Sequence, residues 1–267
     1  MAKKKAAKRA PAKAKEKTGK EYKKNFLKQV IARIDFALPI SELDSGVPKE
    51  IAKAIKKSFA IAEPKKQVLQ QVLFSTSAGV HQSKSETHQW IYHSKDRSKL
   101  VNITGEFFYI EYKKYTSFAT LLQDMKLVCN AIFDTFTTAQ AKRLGLRYID
   151  NIEFPKEAKP TDWSKYLDAD LLSGFNLADD QATIARNFNV LEFNYGDMRM
   201  RFQYGMPNPD FPAAIKRKQF VLDYDAYCDQ LLGKDDIAPQ LTRFHDKIKA
   251  SFEQVITEGL REVMING

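Results

Sequence analysis

Five charged residues have spacings that could bring them together on one face of a β-sheet. Asp223 and Asp225 are two residues apart in a segment of alternating polarity, so both carboxylates point to one face of the predicted strand. Arg199 and Arg201 share a face of another predicted strand in the same way. Arg147 lies in a third predicted strand and is a natural partner for the aspartates. If the three strands are neighbours, the five side chains form one polar cluster.

The chemistry of this cluster depends on whether its side chains converge. Paired carboxylates can hold a divalent cation or share a proton, and arginines bind anions through paired hydrogen bonds. A structural ion-pair network, a solvated face, a ligand or partner site and a catalytic site all remain open. The candidate ligand or partner residues are Arg147, Arg199, Arg201, Asp223 and Asp225.

The histidines do not have the spacing of a metal site. On one strand His88 and His93 would face opposite sides, because they are separated by an odd number of residues. Residues on opposite faces of a strand cannot ligate one metal ion. His81 falls in a predicted loop, and His245 is distant in sequence. We therefore predict no metal and no cofactor.

The sequence contains no recognisable catalytic signature. It has no GxSxG elbow, phosphate-binding loop, GxGxxG motif or HExxH motif. Ser94 and Asp96 are explained by a turn in which they cap backbone amides. We assign no catalytic residue, and the prediction favours a protein that is not an enzyme.

The positive charge is concentrated at the N-terminus. Residues 1–25 hold 11 Lys or Arg and two acidic residues, a net charge of +9, whereas the other 242 residues hold 32 basic and 31 acidic residues, a net charge of +1. The segment has few large apolar residues, so we predict a disordered tail that can contact DNA or RNA through phosphates, or that only aids solubility. The candidate contacts in its first part are Lys3, Lys4, Lys5, Lys8, Arg9, Lys13 and Lys15.

Composition favours a cytoplasmic protein. The chain has 267 residues, of which 43% are hydrophobic, enough for a substantial core. No apolar run approaches the roughly 20 residues that span a bilayer, so no membrane contact is predicted. Cys129 and Cys228 lie in apolar segments and are predicted to be buried thiols in a reducing compartment.

Hydrophobic periodicity predicts an α+β fold with two similar halves. Residues 26–154 and 155–267 each contain antiparallel strands followed by a long helix, with 155–160 as a linker and 77–87 as a polar loop. Each half is predicted to be a mostly antiparallel curved sheet backed by its helix, together one compact unit. The predicted strands cover residues 30–38, 67–76, 88–94, 99–104, 106–112, 145–150, 181–195, 198–206 and 219–227. One predicted helix begins at Pro48, and two further predicted helices cover 117–137 and 236–264.

Three segments carry a family resemblance. The segment Gly145–Asp150 reads Gly-Leu-Arg-Tyr-Ile-Asp, and it resembles the Gly-Leu-Arg-Tyr-Ile-Asn signature of a sporadically distributed prokaryotic family of unknown function. Trp90-x-Tyr92-x-Ser94-x-Asp96 and the C-terminal segment 222–261 are similar to two further motifs of that family. The resemblance covers about 22–264, but the family's prolines before the first strand are missing here.

The resemblance implies an accessory gene, as in defence or toxin–antitoxin loci, and does not imply a reaction. We therefore expect a non-enzymatic binding protein with a protein partner and a tail that contacts nucleic acid. One alternative is a small-ligand sensor or enzyme that uses the arginine–aspartate cluster. Another is a non-specific nucleic-acid-binding protein whose fold itself contacts the duplex, although the nearly neutral charge of residues 26–267 disfavours it.

Overall fold

The computed structural model describes residues 22–75, 79–154 and 159–267, and for 66–75 and 79–87 only the backbone is described. The strands are β1 Leu27–Phe36, β2 Ile61–Ser75, β3 Gly79–His93, β4 Lys99–Ile103, β5 Phe107–Tyr112, β6 Ala141–Glu153, β7 Asn187–Asn194, β8 Arg199–Met206 and β9 Gln219–Cys228. The helices are α1 Glu42–Ser45, α2 Lys49–Ile55, α3 Phe118–Thr135, α4 Ala169–Leu172, α5 Lys234–Val255 and α6 Glu258–Asn266, with 3₁₀ turns at Ser173–Leu177 and Gln181–Thr183.

All nine described strands form one antiparallel sheet in the order β2-β3-β4-β5-β1-β6-β9-β8-β7. The predicted α+β class is confirmed. The segment before the linker supplies six adjacent strands and the segment after it supplies three, so the prediction of two similar halves is not confirmed. The sheet is continuous because β6 pairs with β9 over ten residue pairs.

One face of the sheet is buried beneath helices, and the other face, called the open face, is partly open to solvent along β1, β6, β8 and β9. In β1, Val30, Ala32, Ile34 and Phe36 are buried and alternate with residues that are at least partly exposed. Helix α5 packs on β6 and β9, and α3 packs on the neighbouring strands through the contact of Phe133 with Phe36. The period-two pattern that predicts a strand also determines which face is covered.

The polar loop predicted at 77–87 is wrong where the structure describes it. Residues 79–87 belong to β3 and pair with β2 without a break in register, while 77 and 78 lie outside the described residues. Only Trp90–His93 of β3 also pair with β4, so most of this hairpin is a two-stranded ribbon. A ribbon with no further strand beside it needs no apolar face, which is why the hydrophobic alternation typical of strands is missing there.

The single C-terminal helix predicted over 236–264 is instead two helices that are separated at Ile256 and Thr257. Ile256 is extended and forms a β-bridge with Leu167, and Thr257 donates its N–H to the carbonyl of Tyr166. The backbone groups that would continue the helix are therefore bonded to another segment of the chain. The predicted strand at 181–195 likewise begins only at Asn187.

The structure describes only part of the predicted tail and part of the predicted linker. Residues 1–21 and 155–158 lie outside the described residues, so the prediction of a disordered tail is not addressed for 1–21. Residues 22–25 belong to the predicted tail, but the structure holds them against the fold. The Tyr22 hydroxyl donates to Glu253 at 2.7 Å, and the Lys24 N–H donates to the carbonyl of Met264. No helix within the described ranges is long and apolar enough to cross a bilayer.

Candidate functional site

The structure places all five predicted cluster residues on adjacent strands and on the open face of the sheet. Arg147 of β6 is opposite Asp225 of β9, which is opposite Arg201 of β8. Asp223 and Arg199 lie two residues along the same strands and therefore on the same face. The β6–β9 pairing joins segments that are about 80 residues apart in sequence, and this pairing brings the charges together.

Arg147 and Asp223 form the strongest ion pair of the cluster. Nε of Arg147 donates to Oδ1 of Asp223 at 2.8 Å and Nη2 donates to Oδ2 at 2.6 Å, so both carboxylate oxygens are bonded. Asp223 is only 6% exposed, and its hydrogen bond raises the pKa of Arg147. Bidentate geometry holds the guanidinium in one orientation. Arg147 is therefore hydrogen-bonded to Asp223, although Asp225 is the residue directly opposite it on β9.

Asp225 lies at the centre of the cluster without a close partner among the described residues. Burial raises the pKa of Asp225, and the charges of Arg143, Arg147 and Arg201 act in the opposite direction. The Asp225 carboxylate is thus surrounded by three guanidinium groups at longer range. It can accept hydrogen bonds from a molecule that approaches the open face.

Arg199 and Arg201 are exposed and are paired with different acids. Nη1 of Arg199 is 3.4 Å from Asp229, and Nε of Arg201 is 3.8 Å from Glu192 on β7. With Arg147 on Asp223, the three predicted arginines contact three separate carboxylates and do not converge on one point. This arrangement is an extended charged surface and does not form an enclosed anion pocket.

Further residues on the same face were not identified from the sequence. Arg33 and Arg143 stack on the rings of Phe107 and Tyr227, with the guanidinium carbons 3.9 Å and 4.0 Å from the ring centroids. Arg33 also bonds Asp35 at 2.6 Å and 2.8 Å. Arg143 is 3.8 Å from Asp35 and 3.1 Å from Asp229. The period of two residues could have identified them. Arg33 and Asp35 alternate with the buried residues of β1, and Arg143 is an even number of residues from Arg147 and therefore shares its face.

The described histidines lie in separate environments. Nε2 of buried His93 is 3.2 Å from Glu63, which also contacts Arg97. His245 of α5 stacks on Phe118 of α3, and its Nδ1 is 2.9 Å from the Tyr148 hydroxyl. Burial lowers the pKa of His245. Among the described residues no group of three or more His, Cys, Asp or Glu side chains is arranged to hold a metal ion.

A groove lies on the helical side of the molecule. It has a volume of about 490 Å³, runs between α3 and α5, and is lined by residues such as Leu122, Asn130 and Thr242. None of the five cluster residues lines it. The charged surface and the groove are therefore separate features on opposite sides of the sheet.

Comparisons with known proteins do not assign this site. No protein-family model matches the chain, and no curated protein matches it.

Proposed function

We propose that this chain is a non-catalytic binding protein whose protein partner docks on the open face of the sheet. The observation that carries the proposal is the organisation of the arginines at the centre of that face. Arg147 is fixed by two hydrogen bonds, and Arg33 and Arg143 are stacked on aromatic rings. Side chains that are held in place before binding lose little conformational entropy when a partner docks.

The residue types on this face also favour a macromolecular partner. Arginine and aromatic side chains are the types that most often dominate binding energies at protein interfaces. Positive β6 and β8 alternate with negative β9 on this face, which provides both signs of charge for recognition. The acids adjacent to each arginine disfavour indiscriminate binding of polyanions by the fold itself.

The alternative of a small-ligand sensor or enzyme has weaker support. Such a site needs a cavity lined by the cluster, whereas the groove between α3 and α5 is lined by other residues. Arg147 would also have to exchange its two hydrogen bonds with Asp223 for bonds to the ligand. The observations therefore favour a surface interaction over a ligand pocket.

We also propose a genome context and a compartment for this chain. The resemblance to the sporadically distributed family supports a role in an accessory locus, where the partner is the product of an adjacent gene. The two cysteines are free and buried, which fits the proposed cytoplasmic location.

Reversing one exposed charge on the open face should abolish partner binding. Arg199 is 57% exposed and pairs loosely with Asp229, so Arg199→Glu should leave the fold intact and repel an acidic contact of the partner. The measurement is co-purification of the tagged chain with the co-expressed products of its adjacent genes.

Arg243→Glu is the matched control, because Arg243 is a similarly exposed arginine that pairs with Asp197 but lies on α5, on the helical side. If no adjacent product binds, or if both variants bind equally well, the open face is not the docking surface.

We also propose that residues 1–25 contact nucleic acid. Their net charge of +9 accounts for nearly all of the +10 carried by the chain. Binding through phosphate contacts releases counterions, so it weakens steeply as the salt concentration rises.

Removal of residues 1–21 should abolish nucleic-acid binding. The full chain should bind duplex DNA or RNA with an affinity that falls by orders of magnitude as salt rises, because each phosphate contact contributes a slope of about −0.9 in log affinity against log salt. A chain that starts at Tyr22 should show no such binding, and it keeps the hydrogen bond between Tyr22 and Glu253 that joins this end of the chain to α5. Fluorescence anisotropy with a labelled duplex at several salt concentrations measures the affinity of the full chain and of the truncated chain. Binding that survives the truncation would assign nucleic-acid contact to the fold itself.

A further inference from the structure

β7 is the terminal strand of the sheet, and its outer edge is unpaired. It is the last strand in the sheet order, and within the described chain it pairs only with β8. The pairing with β8 runs without a bulge from Asn187 to Asn194. An edge of this kind presents a row of backbone donors and acceptors to any strand that approaches.

The phase of the β7–β8 hydrogen bonds shows which backbone groups are free. The Tyr195 N–H donates to the carbonyl of Met198 at the two-residue turn, so the odd-numbered residues of β7 bond to β8. The N–H and C=O groups of the even-numbered residues therefore point outward. These residues are Phe188, Val190, Glu192 and Asn194.

This edge lacks the features that protect sheet edges from pairing. It contains no proline and no lysine, and Phe188, Val190 and Leu191 are 43%, 46% and 46% exposed. The opposite edge strand, β2, carries Pro64, Lys65 and Lys66 in sequence, which disfavour pairing. The two edges of one sheet thus differ, and β7 is the edge suited to a further strand.

We propose that β7 pairs antiparallel with β7 of a second copy of this chain, with Leu191 on the two-fold axis. A two-fold axis perpendicular to the sheet keeps each side chain on its own face, so directly opposite residues must have the same parity. The midpoint of the four outward-facing residues is position 191. Centring the axis there pairs Phe188 with Asn194 and Val190 with Glu192, and all four residues contribute to about eight hydrogen bonds.

The charges at this edge permit two identical copies to approach. Glu192 is the only ionisable residue of β7, and Arg201 on the adjacent strand lies 3.8 Å from it, so the edge has almost no net charge. In the proposed register Glu192 lies opposite Val190 and not opposite another acid. Because a two-fold contact uses the same edge of both copies, β7 pairing closes at two copies and does not propagate into a filament.

A cysteine at position 191 tests both the partner and the register. Opposed residues at a non-hydrogen-bonded position have Cα atoms about 4.5 Å apart, within the range that a disulfide spans. Leu191→Cys should therefore form a covalent dimer under mild oxidation. Asn189→Cys is the control on the same face, because residues 189 of the two copies would be separated by roughly 13 Å along the strand. The native cysteines are buried and do not compete.

A proline at position 190 tests the hydrogen bonds without touching β8. The Val190 N–H points outward, so Val190→Pro removes interface donors while the β7–β8 bonds remain, and edge strands tolerate proline at such positions. We expect the wild-type chain to show a concentration-dependent dimer in sedimentation velocity and the proline variant to dimerise at least about tenfold more weakly. Circular dichroism reports whether the variant is folded.

The outcomes separate the proposal from its alternatives. Selective cross-linking of Leu191→Cys together with a weakened proline variant supports it. A wild-type chain that stays monomeric, together with no cross-linking of Leu191→Cys, overturns the proposal. The same result is expected if β7 binds a different protein and not a second copy of this chain. Equal cross-linking at 189 and 191, or an unchanged dimer in the folded proline variant, overturns the register or the interface. The cross-linking result stands even if the proline variant does not fold.

Discussion

Asp124→Asn should lower the free energy of unfolding by about 3–5 kcal/mol, because it leaves a largely buried lysine without its counter-charge. Asp124 faces the sheet from α3, and its carboxylate accepts hydrogen bonds from the Lys99 ammonium and from the Tyr112 hydroxyl. The side chains of Lys99 and Asp124 are 16% and 5% exposed. Lys99 also lies over the rings of Phe59 and Tyr112 and has little room to turn toward solvent. Urea denaturation measures the change.

Two further variants distinguish the buried charge from a general loss of stability. Asp134→Asn breaks the pair with Lys234 on the exposed side of α3, where Asp134 is 63% exposed, and should cost less than about 1 kcal/mol. The double variant Lys99→Met with Asp124→Asn removes both charges and keeps an acceptor for Tyr112. It should recover much of the stability that the single variant loses. Equal losses for Asp124→Asn and Asp134→Asn would contradict the argument.

Asp150→Asn should stabilise the protein above neutral pH and should flatten its stability between about pH 4 and pH 7. Asp150 lies in β6 on the helical face, is 5% exposed, and has no hydrogen-bond partner among the described residues. Burial raises the pKa of its carboxyl group from 3.8 to about 7. Ionisation of Asp150 is therefore unfavourable in the folded chain.

The sign of this pH dependence follows from proton binding. Between the unfolded pKa and the folded pKa, the folded state holds a proton that the unfolded state has released, so stability falls as pH rises. The slope is about 1.4 kcal/mol per pH unit, and the total loss is about 4 kcal/mol for the shift of the Asp150 pKa to about 7. Asparagine cannot ionise and removes this loss.

Thermal or urea unfolding of the wild-type and Asp150→Asn chains at several pH values measures the effect. Asp96→Asn is a useful control, because hydrogen bonds from Ser94 and Ser98 lower the pKa of Asp96 to about 2. That carboxylate contributes stability above its unfolded pKa, and the contribution is lost as pH falls. The control should therefore lower stability by a constant amount above the unfolded pKa and change the slope of the profile only on the acid side. A wild-type profile whose slope above pH 5 is unchanged by Asp150→Asn would refute the assignment.

The local elements and the faces that they bury could be predicted from the amino-acid sequence. The alternation around Val30, Ile34 and Phe36 predicted a strand and its covered face, and these residues are buried. The helix predicted from 236 likewise corresponds to α5, in which Leu241, Phe244 and Ile248 are spaced three or four residues apart and are buried. These features were predictable because the period of two or of about 3.6 residues is a property of each local segment.

The neighbours of each segment could not be predicted in this way, because they depend on the order of the strands in the sheet. Pairing of β6 with β9 brought Arg147 to Asp223, and β8 brought Arg201 to Glu192 on β7. The end of α5 at Ile256 and the burial of Asp150 also depend on contacts with distant segments. Such contacts arise from strand order and register, for which periodicity within one segment carries no information. Local periodicity therefore predicted which charged residues share one face of a strand. The order of the strands determined which oppositely charged residue each of them contacts.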